Sequence, residues 1–154
     1  MGLDMYLERH THVSNYEFDP NGQRIARAVM NALGIKDQAM YANSTLTVSL
    51  LVAYWRKANA IHGWFVKNVQ GGVDDCGSYY VAVGQLKELR DLCSDVLAGR
   101  RPKDDLPPVD GFFFGNTEDD EWYRSDLEET VQKLDKVLSS PRSHLDSFYY
   151  QSSW

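Results

Sequence analysis

The chain has 154 residues and a formal net charge of −6 at pH 7. That length fits one domain, and a composition of 43% hydrophobic and 25% charged residues excludes a chain that is disordered throughout. The negative charge argues against non-specific binding to nucleic acid, because neutralising phosphates requires a surplus of Lys and Arg.

The sequence also indicates a compartment. Its longest apolar run, LTVSLLVAYW, is too short to span a bilayer, and the first residues lack the basic segment and apolar core of a signal peptide. We therefore expect a cytoplasmic protein that does not contact membranes. Cys76 and Cys93 form no CxxC motif, and a chain of this size does not need a disulfide, so we expect free thiols.

The first part of the chain predicts a strand, a loop and a helix. MGLDMYLER alternates apolar Leu3, Met5 and Leu7 with polar residues, as a half-buried strand does. HTHVSNYEFDPNG is polar and ends in turn residues, which is typical of a loop. QRIARAVMNALG has apolar residues four apart and stops at a glycine, as a short amphipathic helix would.

The middle of the chain predicts a strand that leads into a helix. STLTVSLLV is rich in β-branched residues and alternates Val48 and Leu50 with polar ones, which favours a strand. This strand should pass near Val52 into a helix that ends at about Asn68, where two glycines soon follow. The predicted helix contains AYWRKANAIHGWF, which concentrates two tryptophans, a tyrosine, a phenylalanine, a histidine and an asparagine.

The last part of the chain predicts two further helices and three short strands. SYYVAV is a strand candidate, and GQLKELRDLCSDVLAG carries an amphipathic stripe. GFFFG predicts a strand that is either buried on both faces or has one face in the core and the other against a ligand. Thr117 could cap a helix that has acidic residues in its first turn and carries the apolar residues Leu127, Val131 and Leu134. DSFYYQSSW should be the last strand.

These elements predict an α+β fold. We expect a single two-layer domain over residues 1–154, with a mostly antiparallel sheet of four or five strands and about four helices. Both ends of the chain should lie in the same sheet.

Successive side chains of a helix are rotated by about 100° around its axis. In the predicted middle helix, this rotation places the side chains in two neighbouring stripes. The core stripe contains Tyr54, Ala58, Ile61 and Phe65. A flanking stripe contains Trp55, Asn59, His62 and Val66. Asn, His and Trp side by side suit a planar heterocycle or a sugar, because they combine hydrogen-bonding groups with a stacking face. The competing interpretation is that His62 is a structural histidine that bonds to a backbone carbonyl.

Other groups are weaker candidates. Asp4 and Glu8 share a strand face, which could serve acid/base chemistry or a metal but could equally be solvated. NTEDDEWYRSDLEE is either a solvated acidic helix start or an interface for a basic protein. The His10-Thr-His12 pair lacks a third ligand nearby, and no nucleophile, phosphate-loop or cofactor motif is present, so we expect neither a metal nor a cofactor.

Several blocks of the sequence resemble a family of small proteins encoded by tailed phages and prophages. These blocks are MGLDMYL, YWRKANAIHGWFV, DC with a following YYV, GFFFG and the final FYYQSSW. Small phage accessory proteins without catalytic motifs commonly counter host defence, by sequestering a nucleotide signal or by occluding a host protein. The resemblance therefore implies an anti-defence role in the cytoplasm of the host cell.

Our leading hypothesis is a homo-oligomeric protein that binds and sequesters a small nucleotide-like ligand without turning it over. Tryptophans would stack on the base, polar side chains would read its edges, and cations would meet phosphate. The candidate ligand-binding residues are Trp55, Arg56, Lys57, Asn59, His62, Trp64 and Trp122.

Two alternatives belong to other classes of protein. One is an inhibitor that binds a host defence protein through the acidic helix, Glu118 to Glu129. The other is a small hydrolase or transferase in which His62 and Asp4 form an acid/base pair, which requires the two side chains to lie within reach of each other.

Overall fold

The structure is a computed structural model that describes residues 2–108, 120–141 and 146–154. The elements in chain order are β1 (Asp4–Ser14), α1 (Pro20–Ala32), β2 (Thr45–Arg56), α2 (Asn59–Asn68), β3 (Tyr79–Val81), α3 (Val83–Leu97), α4 (Asp120–Ser139) and β4 (Asp146–Ser153). Short 3-10 turns occur at Gln38–Tyr41 and Lys103–Asp105.

The strands of the described residues form one antiparallel sheet in the order β2-β1-β4-β3. β3 pairs with β4 in a register that places Tyr79 opposite Tyr150 and Tyr80 opposite Tyr149. The predicted α+β class is confirmed, and the first and last strands lie side by side in the sheet as expected. No helix in this part of the chain is both long enough and apolar enough to cross a bilayer.

The chain packs as two compact units. The larger unit consists of the described residues within Met1–Arg9, Leu51–Pro141 and Ser147–Trp154. The smaller unit consists of the described residues within His10–Leu50 and Arg142–Asp146.

The smaller unit has its own apolar cluster. Val13, Ala26 and Met30 are buried there, and Ile35 and Leu46 pack against them. Because Val13 belongs to β1 and two of the others to α1, this cluster joins a strand to a helix.

The helix α1 begins earlier than the sequence pattern indicates. The Asp19 carboxylate accepts a hydrogen bond of 2.9 Å from the backbone N–H of Gly22, and Pro20 occupies the first helical position. A Cβ atom at Gly22 would lie 2.5 Å from the carbonyl oxygen of Ser14, so the residue must be glycine. The DPNG sequence that we predicted to end a loop is therefore the capped start of the helix.

The core of the larger unit lies on one face of the sheet. Alternate residues of the strands, among them Leu3, Met5 and Leu7 of β1, are buried in a single cluster with the helices α2, α3 and α4. The strand residues that complete the cluster are Ala53, Trp55, Val81, Phe148 and Tyr150. Since side chains alternate along a strand, the residues between them lie on the opposite face.

The boundary between β2 and α2 corrects the sequence-based prediction. The strand continues to Arg56, and the N–H of Lys57 still donates to the carbonyl of Leu3 at 2.8 Å. Lys57 then adopts a φ of 59°, and Ala58, at φ −79° and ψ 73°, forms an inverse γ-turn closed by the N–H of Asn59. The helix therefore starts at Asn59, because pairing with β1 keeps residues 53–56 extended.

Pairing with neighbouring strands also makes β1 longer, and the burial pattern of β2 less regular, than the sequence predicts. β1 extends to Ser14, so HTHVS lies in a strand, and Nδ1 of His12 lies 3.0 Å from the Thr47 hydroxyl of β2. In β2 the less exposed positions shift from even to odd numbers: Leu46 and Val48 are half-buried and Leu50 is exposed, whereas Ala53 and Trp55 are buried. A simple alternation over the whole strand is therefore wrong.

Two predicted features lie outside the described residues, namely the GFFFG strand and the Thr117 helix cap. The described part of the acidic helix is α4, which packs against α3 and buries Leu127 and Leu134. Glu118 and Asp119 also fall outside the described residues.

Asp126 gives the free energy of unfolding a measurable pH dependence. Its side chain is half-buried on α4, and burial together with the charge of Glu129 raises its pKa to about 7, although Lys133 lowers it. A carboxyl whose pKa rises on folding stabilises the fold when protonated, so this contribution is complete below about pH 4 and is lost as the pH rises through about 7. Asp126→Asn should therefore raise the urea midpoint at about pH 8 and change it little at about pH 4.

The control for this prediction is Asp135→Asn on the same helix, where the carboxylate is exposed and lies 3.5 Å from Nε of Arg90. This control removes an exposed carboxylate from an ion pair and should not raise the urea midpoint at about pH 8. An equal gain for Asp126→Asn at both pH values would contradict the assignment.

Candidate functional site

Two of the three tryptophans predicted to stack on a ligand are core residues. Trp55 is 1% exposed, and its indole N–H donates to the Thr130 hydroxyl at 2.9 Å. Trp64 is 6% exposed and packs edge-on against Phe65, with ring centroids 5.4 Å apart. Neither indole offers a face to a ligand. The prediction placed Trp55 on a helix flank, whereas it lies on the core face of β2.

His62 lies in a buried hydrogen-bonded chain. Its Nδ1 is 2.8 Å from the Tyr150 hydroxyl, and its Nε2 is 3.0 Å from the Asp74 carboxylate. The network assigns the proton to Nε2, which donates to Asp74, while Nδ1 accepts from Tyr150. Burial raises the pKa of Tyr150, so its hydroxyl keeps the proton that it donates. His62 is thus held as a structural histidine would be, but the partners of its ring nitrogens are two side chains instead of the predicted backbone carbonyl.

Two further contacts extend this chain. The indole N–H of Trp154 donates to the other oxygen of Asp74 at 3.2 Å. The ring of Tyr150 stacks on Phe65, with centroids 3.9 Å apart and planes 6° from parallel. His62 and Phe65 lie three residues apart on α2, so both hold the same tyrosine of β4.

The acid/base pair of the enzyme hypothesis is not formed. The hydroxyl of Tyr54 donates to Oδ1 of Asp4, and Nε of Arg56 lies 4.0 Å from the same oxygen. His62 instead bonds to Tyr150 and Asp74. Asp4 and His62 therefore work in separate networks.

The other predicted residues are scattered over different elements. Arg56 is exposed at the end of β2, and Lys57 is exposed in the turn that follows. Asn59 is half-buried at the start of α2. Trp122 is 72% exposed on α4. The predicted set is thus not one site, although Arg56 lies beside a surface that the sequence reasoning missed.

That surface is the sheet face opposite the core of the larger unit. Each strand contributes one tyrosine from a position that alternates with its core-facing residues. The tyrosine face is defined by Tyr54 of β2, Tyr6 of β1, Tyr149 of β4 and Tyr80 of β3. Tyr54 is 38% and Tyr80 60% exposed, whereas the residues of the two central strands are half-buried.

The four tyrosines form two pairs on neighbouring strands. The rings of Tyr6 and Tyr54 have centroids 5.5 Å apart and are inclined at 46°. Those of Tyr80 and Tyr149 are 6.0 Å apart and nearly perpendicular, at 75°. In each pair, an exposed ring from an edge strand leans on a half-buried ring from a central strand.

Charged groups accompany the tyrosines on this face. Asp4 and Glu8 lie two positions from Tyr6 along β1, and Arg56 lies two positions from Tyr54 along β2, so all three lie on the tyrosine face. The hydrogen bond to Asp4 raises the pKa of Tyr54, with burial and the charge of Asp4 adding to the effect. The tyrosine hydroxyl thus remains a neutral donor, and the face offers one guanidinium beside two carboxylates.

The sequence contains a signal that could have found this surface. Tyr79-Tyr80 and Tyr149-Tyr150 are doublets in strands, so one tyrosine of each must lie on the face away from the core. Tyr6 shares the face of Asp4, which the alternation of β1 does predict. Tyr54 could not be assigned to this face from the sequence, because the predicted helix placed it in the core stripe.

A cleft elsewhere in the larger unit is too small for a nucleotide. Its volume is about 140 Å³, and it is lined by Arg9, Val52, Lys136, Val137, Ser140 and Phe148. Pockets that enclose drug-sized ligands usually measure about 300–1,000 Å³. Among the described residues, no three His, Cys, Asp or Glu side chains gather as metal ligands would.

No protein family, characterised protein or solved structure matches this chain. The resemblance of its sequence blocks to phage proteins therefore stays a prediction.

The buried chain around His62 yields a test of its structural role. Tyr150→Phe keeps the ring that stacks on Phe65 but removes the hydroxyl that bonds to His62. A buried ring nitrogen that loses its partner costs about 1–3 kcal/mol, so the free energy of unfolding in urea should fall by that amount. Tyr80→Phe, at an exposed position, should change it by less than about 0.5 kcal/mol. Equal effects of the two substitutions would refute the structural role of the bond.

Proposed function

We propose that this protein binds a small nucleotide-like ligand on the tyrosine face and holds it without turnover. The observation that carries the proposal is that all four strands present a tyrosine on the sheet face opposite the helices of the larger unit. Two of these rings, those of Tyr54 and Tyr80, are well exposed.

The chemistry of the face suits a planar heterocycle. Tyrosine rings stack on bases, and each stacked base contributes roughly 1–3 kcal/mol, which corresponds to about 5- to 150-fold in affinity. Tyrosine hydroxyls can bond to polar ring edges, and Arg56 can meet a phosphate oxygen. The proposal keeps the class of ligand predicted from the sequence but moves the site from the flank of α2 to the sheet.

The charge distribution limits the ligand to a small one. The chain carries a net charge of −6, and Asp4 and Glu8 accompany Arg56 on the face. A long nucleic acid would bring many phosphates to this acidic surface, where few cations could neutralise them. A ligand with few phosphates meets less repulsion.

The biological part of the proposal comes from the sequence resemblance. A small protein of a tailed phage that binds a nucleotide-like ligand would act in the host cytoplasm by lowering the free concentration of a defence signal. We propose this sequestering role, together with assembly into homo-oligomers, as the setting in which the tyrosine face is used.

A second candidate is an inhibitor that binds a host defence protein through α4. The observation in its favour is that Trp122 is 72% exposed on a helix that also exposes Glu121. Two acids of this helix are already neutralised, since Glu128 lies 3.0 Å from Arg124 and Glu129 lies 2.7 Å from Lys133. The acidic surface is therefore smaller than the sequence suggests, and this candidate ranks second.

Calorimetric titration with AMP tests the site. The double variant Tyr54→Ala with Tyr80→Ala removes the exposed ring of each pair, so the affinity for AMP should fall by about 5- to 150-fold. Each substitution removes one ring of an aromatic pair, which is worth about 0.5–1.5 kcal/mol, so the unfolding midpoint should fall while unfolding stays cooperative.

The matched control removes two exposed aromatic side chains of the smaller unit, Phe18→Ala with Tyr41→Ala. It should bind AMP like the unsubstituted protein. Equal losses in the two double variants, or no AMP binding at millimolar concentration by the unsubstituted protein, would sink the proposed site. Native mass spectrometry of the protein purified from cells adds an independent readout, since a ligand of nucleotide mass should be released on denaturation.

A further inference from the structure

We infer that the tyrosine face takes a ligand with two planar rings joined by one phosphodiester, the chemical class of a dinucleoside monophosphate. The inference rests on the proposed function and specifies its ligand. Three observations lead to it: the pairing of the rings, the width of the sheet and the charge of the face.

The rings form two platforms rather than one continuous surface. Tyr54 leans on Tyr6 at 5.5 Å, and Tyr80 leans on Tyr149 at 6.0 Å. Each platform has the same composition, an exposed ring from an edge strand supported by a half-buried ring from a central strand. Each therefore offers one exposed ring on which one base can stack.

The width of the sheet keeps the platforms apart. The exposed rings stand on β2 and β3, which are the two edges of a four-stranded sheet. Three strand spacings of about 4.8 Å separate these edges, so the outer tyrosines start from strands roughly 14 Å apart. One base can cover a platform without reaching the other, whereas two linked, unstacked bases can occupy both.

The charges favour a single phosphodiester as the link. Arg56 is exposed, and its Nε lies 4.0 Å from Asp4, while Glu8 adds a second carboxylate to the face. A terminal phosphate carries close to two negative charges at pH 7, because its second pKa is about 6. An internal phosphodiester carries one charge for two bases. A dinucleoside monophosphate therefore gains two stacking contacts while it brings less negative charge toward Asp4 and Glu8 than a terminal phosphate would.

The test compares adenylyl-adenosine (ApA) with AMP by calorimetry on the full chain. ApA should bind one per chain and at least tenfold more tightly than AMP, because binding of the first base raises the effective concentration of the second. AMP should bind two per chain. Tyr54→Ala and Tyr80→Ala, made separately, should each reduce the ApA affinity to about that of AMP and reduce the AMP stoichiometry to one.

Conservative variants separate ring stacking from loss of fold. Tyr54→Phe and Tyr80→Phe keep the rings and should keep the ApA affinity within about threefold. Unfolding midpoints of all four variants show whether the sheet is intact. If both phenylalanine variants bind as poorly as the alanine variants, ring stacking is not what recognises the ligand, and the inference is overturned.

The outcomes distinguish failure of the inference from failure of the proposed function. AMP binding at one per chain, with ApA no tighter, would overturn the two-ring ligand and leave the proposed nucleotide site standing. Absence of binding by both AMP and ApA would overturn both. A trinucleotide, ApApA, that bound more than tenfold more tightly than ApA would reveal a third platform and would also overturn the two-ring assignment.

Discussion

One side chain, Tyr150, fixes how the larger unit is assembled. Phe65 stacks on its ring at 3.9 Å, and His62 bonds to its hydroxyl at 2.8 Å, so two positions of α2 hold one residue of β4. A helix held at two points one turn apart cannot rotate about its own axis without losing a buried contact. Because Tyr150 must therefore lie in the core, its neighbour Tyr149 must lie on the other face of the sheet.

Local periodicity explains how much of the fold the sequence could predict. The alternation of β1, the apolar stripes of α1, α3 and α4, and the final strand were all predicted, and the α+β class follows from them. These signals are short-range, since each depends on residues two to four positions apart. Where an element is determined by a distant strand, as at the ends of β1 and β2, the prediction failed.

The candidate site was harder to predict for the same reason. A turn at Lys57 divides AYWRKANAIHGWF into the end of a strand and the start of a helix. Trp55 and His62 therefore do not lie on one face of a common helix, as the sequence pattern predicted. The partners of His62, Asp74 and Tyr150, lie 12 and 88 residues away along the chain. The tyrosine face draws one residue from each strand, and only the order of the strands brings them together.

The alternation of the sheet has a consequence for how this protein can change. Tyr149 and Tyr150 are consecutive, yet the first lies on the tyrosine face and the second in the core. Substitutions at the outward positions change what the surface contacts while the packing behind it is kept. The outward-facing and core residues are thus interleaved along each strand, so the four-stranded sheet could serve as a scaffold whose outer face changes by substitution while the core is kept.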